Sequence, residues 1–297
     1  MTNALTTSEM RTIVLRQPRP DHRERQSART STGVTGSPWG RRPDTGYPEP
    51  RRADRWIAEE PLVWLGPRRR NDQASTLGRL VGSGMVAAET ATALALLVRQ
   101  RAGVLVIAGR SGAGKSTLLE ALLPWYPASD RRLRLRGSFE DFAWERDPRF
   151  DPQRAVLVAE EISGHLPVYL WGRPVARFLG WRSAGSALIA TAHGEHLADI
   201  ARLISGYPLR LPLQALAAFD IIVRLGPRDW SPHSGHAVTD VWATDRTGLG
   251  GLVATTLIDP TGLHRDAIRD VYGRLGGDIG TMEGTLERLR REIVAPA

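Results

Sequence analysis

The stretch VLVIAGRSGAGKSTLLEALL, residues 104–123, decides how this chain is read. An apolar run rich in β-branched residues leads into a glycine-rich segment, and apolar positions at helical spacing leave it. Strand, loop and helix in that order are the setting in which GRSGAGKS, 109–116, matches G-x-x-x-x-G-K-[ST], a loop that cradles phosphate. Gly109, Gly112 and Gly114 permit backbone angles closed to other residues, so the N–H groups across Arg110, Ser111 and Ala113 can turn inward on an anion. The following helix adds its positive N-terminal end. Lys115 would reach the outer phosphates of a nucleotide, the Ser116 hydroxyl would hold Mg²⁺, and Thr117 completes the phosphate-facing set.

Lys115 carries a second hint. The chain has 40 lysines and arginines, of which Lys115 is the only lysine. Arginine can replace lysine wherever any cation will do. It fails where a compact ammonium must sit inside a ring of backbone N–H groups, because the guanidinium is a flat, wide fork. A lone lysine in a phosphate loop marks a place where the fork does not fit.

At 297 residues with 41% apolar content, the chain is long enough for one large domain or two small ones. It has no cysteine, which excludes disulfides and thiolate metal sites and fits a reducing, cytoplasmic compartment. The most apolar stretch, MVAAETATALALLV, is too short to span a bilayer and carries Glu89, so no transmembrane segment is expected and membrane contact would be peripheral. Of the net charge of +8, residues 1–70 hold +6, from 14 arginines against 8 acidic residues. This basic segment is rich in Pro, Arg, Ser, Thr and Gly and poor in aliphatic residues, so 1–60 reads as a disordered tail. Its clustered cations suit weak contact with anionic lipid or nucleic acid.

The folded part is expected at 61–275, with a linker and helix at 276–297. TLGRLVGSGMVAAETATALALLVRQR predicts a short helix, a Gly-Ser-Gly turn and an amphipathic helix carrying Ala91, Leu94, Leu97 and Val98. STLLEALL predicts a helix stopped by Pro124. RRLRLRGSF, AVLVAEE, SALIATAH and FDIIVRL read as strands, GEHLADIARLIS as a helix, and HAVTDVWATD with GLVATTLID as an antiparallel pair. Helices over 263–275 and 281–293 close the chain. Strands separated by helices imply an α/β fold: a mostly parallel sheet between helices, with an antiparallel addition on the C-terminal side.

A phosphate loop needs an acid at a neighbouring strand end to hold Mg²⁺ through water and to align an attacking water. AVLVAEE supplies Glu160 and Glu161; strand alternation sends them to opposite sides, one to the nucleotide and one elsewhere. TAH ends the next strand and brings His193 to the same edge, where a polar group can approach the terminal phosphate.

In order along the chain, these segments with RLRLRGSFED, AVLVAEEISG and GSALIATAHGEHLADIARLI resemble the ATPase domain of the type II/type IV secretion and pilus-assembly ATPases, especially the tight-adherence pilus and conjugation branches. The likeness covers about residues 75 to 258. It implies a RecA-like P-loop fold, ATP and Mg²⁺ as cofactors, and a homo-oligomer, usually a hexameric ring, working in the cytoplasm beneath an inner-membrane secretion or pilus platform protein. It assigns Lys115 and Ser116 to the P-loop, Glu161 to the Walker B glutamate, His193 to the histidine box, and Glu140 with Asp141 to the acidic box. Glu161 or Glu140 would then polarise the attacking water.

The departures are specific. Where the family has G-E-x-R-G this chain has EEISG, with Glu160 for the glycine and Ser163 for the arginine. A second acidic-box glutamate falls on Trp144, with Glu145 one place late, and the segment between the acidic box and Walker B is about half the usual length. Arg146, Arg149 and Arg154 are the candidates to replace arginines carried there. Two other readings stand beside a secretion ATPase: an ATP-binding assembly or regulatory protein with little turnover, which the shortened segment favours, and a P-loop small-molecule kinase, which needs an acceptor pocket and lid.

Overall fold

In a computed structural model the described residues are 12–15, 76–228, 235–246 and 251–295. In chain order they form β1 (Thr12–Leu15), α1 (Leu77–Gly82), α2 (Ala88–Arg99), β2 (Val104–Ala108), α3 (Lys115–Leu122), β3 (Arg131–Arg134), β4 (Ala155–Ile162), α4 (Arg173–Gly180), β5 (Ala187–His193), α5 (Leu197–Ser205), β6 (Ile221–Pro227), β7 (His236–Arg246), β8 (Leu252–Asp259), β9 (Gly262–Leu263), α6 (Arg265–Arg274) and α7 (Met282–Val294). One sheet runs β1-β8-β7-β6-β2-β5-β4-β3, with β9 on β8. From β6 to β3 every pairing is parallel, whereas β6, β7, β8 and β1 pair antiparallel. This is the expected α/β class, a mostly parallel sheet between helices with a C-terminal antiparallel addition.

Strand alternation divides the core between the two faces. Val104, Val106 and Ala108 of β2 join one cluster with α1, α2, α3, α6 and α7, and Leu105 and Ile107 join another with α4 and α5. β2 is buried on both faces, as its unbroken apolar run requires. It lies between β6 and β5, so the loop leaving it faces the end of β5 directly and the end of β4 one strand further on.

Several expectations are corrected. α2 is not amphipathic in place: Thr90 to Val98 are all buried, because the sheet covers one side and α7 the other. Thr92 tolerates this by donating its hydroxyl to the Ala88 carbonyl at 2.7 Å. The terminal helix is no appendage on a linker. Met282, Leu289 and Ile293 enter the same core, and α7 comes so close to α1 that a methyl on Gly78 would sit 2.5 Å from the Ile293 carbonyl oxygen. Within the tail expected to be disordered, Thr12–Leu15 pairs with 252–255 of β8, using a β-branched run at a free sheet edge. The rest of 1–60, and 61–75, lie outside the described residues. α3 begins at Lys115 and yields to a 3-10 turn at Leu123–Trp125, where Pro124 ends the regular ladder.

Candidate nucleotide site

The loop between β2 and α3 has the backbone that its glycines predict. Gly112 has φ +76° and Gly114 φ +93°, both left-handed, and Gly114 is the N-cap residue of α3. Arg110, Ser111 and Gly112 form the exposed crest, Ala113 is buried, and Ser116 and Thr117 are half-buried on the first turn of α3. That turn carries no acidic residue, so the positive helix end is not neutralised from within. A methyl at Gly112 would meet nothing within 4 Å, so space lies open before the crest.

Lys115 is the centre of the site. It is only 6% exposed, and its Nζ lies 3.5 Å from Glu161 Oε2 and 3.3 Å from His193 Nδ1. An ammonium has three donors and no acceptor, so Nδ1 of His193 must accept and the ring proton sits on Nε2. The loop, the end of β4 and the end of β5 thus meet at one atom. His165, in the segment after β4, stands edge-on to His193 with ring centroids 6.3 Å apart.

Glu160 and Glu161 do not follow simple alternation. The β4–β5 register jumps from Ala159↔Ala190 to Ile162↔Ala192, so both glutamates stand opposite Thr191 alone. This is a β-bulge, which re-aims side chains at a strand end. The buried Thr191 hydroxyl donates to the Glu160 carbonyl and pins it. Glu161 turns to Lys115, while Glu160 pairs with Arg134 at 3.5 Å, and Arg134 also binds Glu120 at 2.7 Å.

Glu140 follows a 3-10 turn, Gly137–Phe139, after β3, a strand three positions from β2 in the sheet. Its carboxylate accepts the Arg136 N–H at 2.9 Å, the Phe142 N–H at 2.7 Å and the Trp144 indole N–H at 3.1 Å. Burial pushes its pKa up, against the pull of those three donors. Glu145 is engaged as well, by Arg177 and by the Trp181 indole N–H at 2.8 Å. Trp144, Phe150 and Trp181 pack against one another with centroids 4.7 to 5.5 Å apart. The segment around Glu140 and Glu145 is therefore part of a small aromatic core in which both glutamates are acceptors.

The three candidate arginines are not gathered at Lys115. Arg149 forks onto Asp147 at 3.0 and 2.6 Å. Arg154 immediately precedes β4, about 23 Å from Glu161 at ~3.3 Å per residue along the strand. Arg146 is exposed on the 3-10 turn of the aromatic core.

Two further residues at the loop carry little sequence signal. The Glu195 side chain lies over Gly109, filling the place where a Cβ would stand. Met85, in the turn between α1 and α2, lies against Gly114, its Cε 2.6 Å from where a Cβ would be. Gly114 is required by its left-handed angle, and at both glycines a neighbouring side chain occupies the place a Cβ would take.

The residues present fit a nucleotide's phosphates: two left-handed glycines, a helix end free of acid, and a buried ammonium beside open space. Among the described residues no group of three or more His, Cys, Asp or Glu forms a metal site. A divalent cation here would enter with the phosphates and take Ser116 as its protein hydroxyl.

No protein-family model and no curated protein matches the chain. Among solved structures it is similar to the VirB11 ATPase from the Brucella suis type IV secretion system in complex with sulphate, at 20% identity and a TM-score of 0.37, with 56% of each chain covered. It is also similar to the Legionella pneumophila ATPase DotB, at 14% identity and a TM-score of 0.35, covering 66% of this chain and 54% of that one. The chain spans about half the length of these neighbours.

Proposed function

We propose that this chain is a P-loop ATPase that binds Mg-ATP and hydrolyses it to drive a type II or type IV secretion apparatus or type IV (Flp/Tad) pilus assembly. The observation that carries this reading is the placement of Lys115, buried between Glu161 and His193 at the mouth of a glycine loop. A buried ammonium with one carboxylate partner is a position that a polyphosphate can take over. Moving Lys115 onto the phosphates frees Glu161 to accept a hydrogen bond from water and to orient it for in-line attack. His193, with its proton on Nε2, can donate to a phosphate oxygen and report its presence. When bound, Mg²⁺ would be held by Ser116 and, through water, by Glu161, and would neutralise charge on the phosphates.

The same reading makes the protein a homo-oligomer, a hexameric ring by its family resemblance, lying in the cytoplasm at an inner-membrane platform protein. No helix among the described residues is long and apolar enough to cross a membrane. A second reading, an ATP-binding assembly or regulatory protein with little turnover, is favoured by the engagement of Glu140 and Glu145 inside their own aromatic core.

Phosphate release from ATP decides between them, measured for wild type, Lys115→Ala and Glu161→Gln, alone and with candidate acceptors. The ATPase reading expects release abolished in Glu161→Gln with binding retained. Tight binding without release supports the regulatory reading, and acceptor-dependent transfer makes the protein a kinase. Light scattering with and without ATP tests the ring.

A further inference from the structure

A nucleotide on this loop has a direction. Glu161 and His193, the groups suited to the terminal phosphate, come from β4 and β5 on one side of β2. The inner phosphates, ribose and base therefore extend to the other side, toward β6 and β7. The turn between α1 and α2 lies there: Met85 touches the Gly114 position of the loop, and its carbonyl accepts the Val238 N–H of β7 at 2.8 Å. From the end of β6, Arg228 reaches back over the same turn. Its guanidinium donates to the Ser83 carbonyl and lies 3.1 to 3.6 Å from where a Cβ of Gly84 would stand. Gly84 has φ +69°, so the turn passes beneath the guanidinium with no side chain between them. Arg228 is exposed and belongs to none of the ion pairs found among the described residues.

We infer that Arg228 and the Ser83–Met85 turn form the base-side subsite of the nucleotide site, with the Arg228 guanidinium as a flat platform for a purine ring. The inference rests on the nucleotide reading of the loop and adds the group that holds the other end of the ligand. A planar guanidinium stacks face to face on aromatic rings, whereas an ammonium can attract a ring only as a point charge. The chemistry also sets the selectivity. The Ser83 and Met85 carbonyls already accept Arg228 and Val238, so these two backbone acceptors are not free to read an exocyclic amine. Recognition is then by ring area, and ATP and GTP bind within about five-fold of each other while CTP and UTP bind more weakly.

The test compares ATP with inorganic tripolyphosphate, which carries the phosphate chain without base or sugar, on the full chain by calorimetry. Arg228→Ala should weaken ATP about ten-fold and leave tripolyphosphate unchanged. Arg228→Lys, which keeps the charge but not the plane, should remain closer to Arg228→Ala than to wild type. Thermal unfolding of each variant guards against a loss of fold. Equal weakening of both ligands overturns the inference, since Arg228 would then serve the phosphates or the fold, and so does no change in either. Wild type binding tripolyphosphate as tightly as ATP overturns the base subsite while leaving the phosphate site intact. Wild type binding neither overturns the nucleotide reading itself.

Discussion

Replacing Lys115 by arginine separates charge from shape at the centre of the site. The ion pair with Glu161 is long, 3.5 Å, and the two side chains are 6% and 14% exposed. An arginine keeps that pair, so the fold loses little beyond the cost of a bulkier side chain, about 1 kcal/mol at the low end of overpacking. Phosphate binding responds differently. A charge-assisted hydrogen bond contributes about 1.5–3 kcal/mol, and each 1.4 kcal/mol is ten-fold in affinity, so losing the ammonium's fit weakens ATP about 10- to 150-fold. Lys115→Arg and Lys115→Ala should therefore lose ATP affinity to a similar extent. Lys115→Ala should in addition lose stability, because Glu161 and His193 are left without their common donor. Calorimetry with ATP and urea unfolding of the three proteins read both quantities. Wild-type affinity in Lys115→Arg would refute the reasoning, because a fork would then fit where the chain's only lysine stands.

Glu140 makes a pH-dependent contribution whose sign follows from its raised pKa. The folded chain holds this proton more tightly than the unfolded chain, so the contribution is largest at low pH and is lost as pH rises from the ordinary carboxylate range through the raised folded value. Urea midpoints followed by tryptophan fluorescence should fall across that window, and Glu140→Gln should flatten the slope. Gly78→Ala places a methyl 2.5 Å from the Ile293 carbonyl and should cost about 1–3 kcal/mol by pushing α7 off α1, read as a lower urea midpoint. Asp220 accepts the Gly103 N–H at 2.6 Å and Arg182 at 2.6 Å, tying the starts of β2 and β6 together at the edge away from the phosphate loop. Asp220→Ala should cost about 2 kcal/mol, less than a fully buried pair because both side chains are 21% exposed, with ATP affinity unchanged.

What was legible in the sequence, and what was not, divides along a physical line. The parallel strands were legible because a strand buried on both faces must be apolar throughout, and AVLV, ALIA and VLVIA carry that signal without help from partners. The loop was legible because its glycines need left-handed angles that few other residues adopt. α2 was misjudged for the opposite reason. Its alanines and threonines give it a polar-looking side, yet small residues are what let α7 and the sheet approach from two directions, and periodicity does not register that.

The site's finer geometry was hidden because it depends on pairings between distant strands. Alternation along β4 alone separates Glu160 from Glu161 but cannot show the bulge, which exists only in the register with β5 and is pinned by Thr191. Glu195 over Gly109 and Met85 against Gly114 are invisible for the same reason: each is an ordinary residue in its own segment and meets the loop only after the sheet has closed. Glu140 and Glu145 show the converse. Glu140 stands where the family resemblance expects an acid and Glu145 one place late, but the aromatic core around them satisfies both carboxylates: two backbone N–H groups and the Trp144 indole for Glu140, and the Arg177 guanidinium and the Trp181 indole for Glu145. A carboxylate already satisfied and buried is a poor candidate to orient water, and Glu161, whose ion-pair partner among the described residues is a lysine that phosphate would draw away, is a better one. If that asymmetry governs turnover, Glu140→Gln should leave phosphate release within about three-fold of wild type while Glu161→Gln lowers it at least 100-fold, in line with the 10²–10⁴-fold weight of a positioned acid or base. Equal losses in the two variants would return Glu140 to the catalytic machinery and make its hydrogen bonds here those of a resting state.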